Sequence, residues 1–116
     1  LQGKRATSHW GYTDVIEMCG AIYTPERVVI DGNVITAGGV TAGMDFGLTV
    51  AAEIFGEEIA KTIQLRLEYD PAPPFDSGSP KRASVETMNS VSGFYSDAAE
   101  RMRKALASAM QKTHKE

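Results

Sequence analysis

The 116 residues carry 12 Lys and Arg against 15 Asp and Glu, a net charge of −3, and 42% of them are apolar. That length suits one domain with no internal boundary, and the weak acidic excess argues against nucleic acid as a partner. No apolar run nears bilayer length, so no membrane partner is expected, and a single cysteine points to a reducing, cytoplasmic setting without disulfides.

The opening L-Q-G-K reads as the frayed end of a helix closed by Gly3, so the sequence is expected to start inside a domain. Lys4–Ser8 has the composition of a short strand, and Ser8 is placed to cap a helix over Gly11–Cys19 that Gly20 stops. Tyr23–Arg27 is a turn around Pro25. Val28–Ile30 and Val34–Thr36, joined by Asp31-Gly32-Asn33, form a β-hairpin signature.

The central stretch is Val34–Gly56, a short strand that breaks at Gly38-Gly39 and continues as a long apolar helix. A strand turning through glycines into a helix is half of a βαβ unit, which predicts a parallel sheet. Val40, Met44, Leu48 and Phe55 mark one face, and Phe46, Val50 and Ile54 widen it, so this helix is expected to be buried on several sides. Glu57–Leu67 reads as a second helix. Tyr69–Ser79 is loop, held extended by its prolines. From about 83 to 113 a long amphipathic helix follows, with Val85, Met88, Tyr95, Ala99, Met102 and Leu106 on its stripe and Gly93 as a place for a bend. Packing on its own domain is the leading use of that stripe, and its basic C-terminal end is a solvated face.

Cys19 is the first residue to weigh as a nucleophile. It falls in the last turn of a helix, where the dipole and free carbonyls disfavour a thiolate, so a structural role is expected. His9 sits between a strand and a helix, where open α/β sheets place ligands, with Thr7 nearby and Trp10 as a wall. Gly38-Gly39 before a helix N-terminus resembles an anion cradle in composition, but it lacks the full phosphate-loop pattern, so tight turning and close packing is the better reading. Thr41 is placed to cap or hydrogen-bond that helix start, Asp45 to meet its dipole, and Asp70 is presented from a stiff loop by Pro71. No metal-ligand cluster is evident.

Three motifs together resemble a known family: R-A-T-S-H-W at Arg5–Trp10, the run V-I-T-A-G-G-V-T-A-G-M-D-F from Val34, and Y-D-P-A-P-P-F at Tyr69–Phe75. They are similar to the C-terminal half of the ThiJ/PfpI superfamily, and the third is narrower, similar to the isonitrile hydratases within it. The resemblance implies an α/β fold of the class I glutamine amidotransferase-like kind, a three-layer sandwich with a parallel, flavodoxin-like sheet, of which residues 1–116 would be the C-terminal half. It implies hydration of an isonitrile to an N-substituted formamide through a cysteine thioimidate, by a lyase active as a homodimer. The nucleophilic cysteine would lie on an elbow upstream of Leu1, in a missing N-terminal half, so this chain alone would be inactive. Thr7, His9, Trp10, Gly39, Thr41 and Asp70 would shape the pocket for the small isonitrile substrate, and no cofactor is implied. The alternatives are a ligand-sensing domain of an AraC-type regulator and a non-catalytic member of the superfamily.

Overall fold

In the computed structural model, which describes residues 1–113, the chain holds two small sheets and four α-helices. Strand β1 (Arg5–Ala6) pairs in parallel with β2 (Ile22–Tyr23), Arg5 opposite Ile22. A single 3₁₀ turn (Trp10–Tyr12) and helix α1 (Thr13–Met18) connect them. The parallel unit therefore starts earlier in the chain than the glycine-turn pattern suggests. Tyr23, read from sequence as turn, belongs to a strand because the Ile22 and Thr24 amides donate to the Lys4 and Ala6 carbonyls, each at 2.8 Å.

Strands β3 (Val28–Asp31) and β4 (Val34–Ala37) form the expected hairpin, with Asp31 opposite Val34. The turn is thus the two residues Gly32-Asn33, and Gly32 has φ 62°, the positive value that the first position of a tight hairpin turn requires. Side chains tie the hairpin to β1: the Arg5 amide donates to Asp31 Oδ2 at 2.8 Å and the Thr7 amide to Thr36 Oγ1 at 2.9 Å.

After Gly38-Gly39, helix α2 (Ala42–Phe55) begins two residues later than the apolar pattern suggests. Gly56, at φ 92°, turns it straight into α3 (Glu57–Arg66), with Ala60 buried beneath the pair. The expectation that α2 is buried on several sides is corrected. Ala42 is its only buried residue, while Ile54 and Phe55 are exposed and the preceding Val40 is 97% exposed. The reason is geometric: β3 and β4 cover one side of α2, and α3 flanks it, but neither two-stranded sheet extends under the rest of its apolar girth.

Helix α4 (Val85–Thr113) runs unbroken through Gly93, so it is one helix rather than two. Ser84 caps it, its Oγ accepting from the Thr87 amide at 3.1 Å. Only the middle of its stripe is buried. Ala98 and Ala99 let it lie close against α1 and the 3₁₀ turn, and Arg103 pairs with Asp14 in the first turn of α1. No helix among the described residues is long and apolar enough to cross a membrane.

Candidate functional site

The C-terminal end of β1, the end of the hairpin, the N-terminus of α2 and the middle of α4 surround one open cleft of about 1010 Å³. Five of the six residues singled out from sequence line it: Thr7, His9, Trp10, Gly39 and Thr41. Asp70 lies elsewhere. It is exposed at the rim of a separate hollow with Lys61, Gln64 and Glu68. Cys19 is also absent from the cleft; it ends α1 half-buried, its Sγ 3.7 Å from the Val15 carbonyl oxygen.

His9, not Ser8, caps the first turn. Its Nδ1 accepts from the Gly11 amide at 3.1 Å, because the extended backbone of His9 turns the ring back over the turn it begins. Ser8 instead donates its hydroxyl to the His9 carbonyl at 3.1 Å. With Nδ1 committed as acceptor, the ring proton sits on Nε2, which makes that nitrogen a donor. The imidazole stacks on Tyr95 at 4.8 Å and 26°, with Trp10 at 5.0 Å and Tyr12 at 5.7 Å. Burial among these rings lowers its pKa below the ordinary value of 6.5, so the neutral form dominates at pH 7. Gly39 closes the other side, where a Cβ would sit 3.0 Å from His9 Cδ2.

That shift fixes a pH dependence. A depressed folded pKa means that unfolded chains bind the proton more readily, so the His9 contribution is complete above pH 6.5 and is lost as pH falls through the lower folded value. Protonation also removes the lone pair that holds the Gly11 amide. The expected result is a denaturant midpoint of the complete polypeptide that falls as pH drops below about 6.5, with His9→Gln flattening that part of the curve.

Thr7 is buried, and its hydroxyl has no partner among the described residues. Gly38 donates its amide to the Arg27 carbonyl at 3.0 Å, whereas the Gly39, Val40 and Thr41 amides have no acceptor among the described residues. Three free amides at the start of a 14-residue helix favour an anion or a developing negative charge. Thr41 occupies the N-cap position without capping, because its αR backbone (φ −72°, ψ −22°) turns the hydroxyl away from the next amides. Its Oγ1 accepts from Arg27 Nη2 at 3.3 Å instead.

Sequence reasoning passed over Arg27, Tyr95 and Phe94, which also line the cleft. Tyr95 was on the apolar stripe of α4, but nothing in a helical repeat says what the stripe will face. Arg27 carried no signal beyond its position before a strand. Among the described residues, no group of His, Cys, Asp and Glu is arranged to hold a metal ion.

Known proteins share this arrangement. Residues 1–53 match the DJ-1/PfpI family. Over 83 residues the chain is 60% identical to an isonitrile hydratase from Pseudomonas putida, a stretch that is 72% of this chain and 36% of that relative. It is 37% identical over 65 residues to protein DJ-1 homolog A of Arabidopsis thaliana, covering 56% of this chain and 16% of the relative. Among solved structures, a THiJ/PfpI family protein from Pseudomonas syringae superposes with a TM-score of 0.85 at 42% identity, over 90% of this chain and 43% of that one. Schizosaccharomyces pombe DJ-1 superposes with a TM-score of 0.54 at 27% identity, over 61% and 37%. The α/β fold is that of the DJ-1/PfpI family, and the chain spans little more than a third of the isonitrile hydratase it matches.

Proposed function

We propose that residues 1–116 form one wall of the active cleft of an isonitrile hydratase-type enzyme, a hydro-lyase that converts R–N≡C and water into R–NH–CHO. The observation that carries this reading is the 60% identity to a protein of that name, together with the gathering of the Arg5–Trp10 and Gly38–Thr41 motifs on one cleft. The reactive thiolate is supplied by polypeptide outside this chain, since Cys19 is remote from the cleft and ends a helix at its unfavourable pole.

The sulfur attacks the terminal isonitrile carbon, and a proton delivered to that carbon completes a thioimidate. Water then adds to the C=N carbon. The C–S bond breaks, the electron pair leaves with sulfur, and the formamide remains. In this scheme the neutral His9 offers its Nε2–H as a donor, and the free amides at the start of α2 stabilise charge that develops on the adding oxygen. Trp10, Phe94 and Tyr95 provide apolar surface for the substituent R. Residues 1–116 alone are inactive in this reading, and the complete enzyme is a cytoplasmic homodimer.

The test uses the complete polypeptide that carries this chain with n-butyl isonitrile, following loss of the N≡C stretch by infrared spectroscopy. The expected result is one N-butylformamide for each isonitrile consumed. Absence of turnover would remove the hydratase reading and leave ligand sensing by the same cleft.

A further inference from the structure

Tyr69 does not line the cleft, yet its hydroxyl is tied to it through three side chains. It donates to Asp45 Oδ1 at 3.1 Å. The other carboxylate oxygen, Oδ2, accepts from Arg27 Nε. Arg27 then gives Nη2–H to Thr41 Oγ1 at 3.3 Å. Arg27 is 54% exposed and Asp45 32%, so the ion pair contributes little to stability. Geometry is what the arrangement supplies. A guanidinium donates only, so the oxygen of Thr41 must accept from it, and the hydroxyl proton is left for another acceptor. Among the described residues no such acceptor exists, and Thr41 faces the cleft.

We propose that Tyr69 is a positioning residue that acts through Asp45 and Arg27 to keep the Thr41 hydroxyl proton directed at an oxygen of the ligand in the cleft. This rests on reading the cleft as the place where an isonitrile becomes a formamide. The end of α3 holds Tyr69 in place. Gln64 Nε2 donates to the Tyr69 carbonyl at 3.1 Å, and Glu68 adopts φ 50°, a left-handed turn that redirects the chain just before Tyr69. The Asp45 carboxylate, accounted for from sequence by the helix dipole, thereby also sets the angle of the Arg27 fork. A phenol is required at position 69, since a phenyl ring has nothing to give Oδ1.

The experiment measures binding of N-butylformamide to the complete polypeptide by calorimetry, with turnover of n-butyl isonitrile measured in parallel. Thr41→Val removes the donor and is expected to weaken formamide binding about tenfold, the worth of one hydrogen bond. Thr41→Ser keeps the donor and stays near wild type. Tyr69→Phe is expected to weaken binding about threefold or more, and to have no further effect in the Thr41→Val background. Asp45→Asn serves as the second probe should Tyr69→Phe fail to fold, judged by its circular dichroism melt. Additive effects, an unaffected Tyr69→Phe protein, or no formamide binding by the wild type would each overturn the proposal. Coupled binding without isonitrile turnover would sustain the positioning role while removing the hydratase reading. Turnover without coupling would do the reverse.

Discussion

Residues 1–113 or 1–116 expressed by themselves are expected to give no cooperative melting transition and to bind the dye ANS in buffer alone. The chain has a radius of gyration of 16.9 Å and extents of 48 × 42 × 18 Å, a slab. A compact domain of this length has a radius of gyration of about 13 Å. Its buried apolar residues are mostly alanines, and Val29 is the largest fully buried side chain. Ile54, Phe55, Leu65, Phe75 and Phe94 are each more than 60% exposed. Two sheets of two strands each cannot cover a helix like α2, and isolated two-stranded pairs are marginal in water. Calorimetry and ANS fluorescence check this, and a single sharp endotherm with no dye binding would contradict it.

Gly11→Val is expected to lower stability of the complete polypeptide by about 1–3 kcal/mol through overpacking. A Cβ at Gly11 would lie 2.7 Å from Tyr95 Cδ1, 3.0 Å from its Cγ and 3.2 Å from its Cβ. These are the near atoms of the side chain, so Tyr95 cannot yield by swinging its far end. Either α4 moves off the 3₁₀ turn or the His9–Tyr95 stack opens, and both routes also disturb the cleft. Gly93→Ala is the control. It sits in α4 with nothing within 4 Å of its added Cβ, and helix propensity predicts a gain of about 0.5–1 kcal/mol there. Denaturant titrations of both variants check the pair.

What the sequence made legible were features set by local chemistry. The hairpin followed from alternation around Gly32, the α2–α3 turn from Gly56, and the irregular 69–79 segment from its prolines. Thr7, His9, Trp10, Gly39 and Thr41, named as pocket candidates partly through the family resemblance, line one cleft because they adjoin ends of strands and starts of helices. Burial was less legible. The apolar girth of α2 shows that it is made to be covered, but a hydrophobic pattern does not state whether the cover lies within the same 116 residues. Capping followed backbone geometry more than side-chain chemistry. The first turn begins at Trp10, which puts His9 rather than Ser8 at the cap, and Thr41 has capping chemistry on a backbone whose angles do not suit a cap. Long-range polar contacts, such as Tyr69 to Asp45 and Arg103 to Asp14, leave no periodic trace and became visible only in three dimensions.

The most direct measurement is isonitrile hydration by the complete polypeptide carrying Cys19→Ser. With the reactive sulfur outside this chain and Cys19 serving only to end α1, formamide should accumulate at the wild-type rate. A variant that folds yet has lost turnover would place the nucleophile at Cys19 and contradict the account.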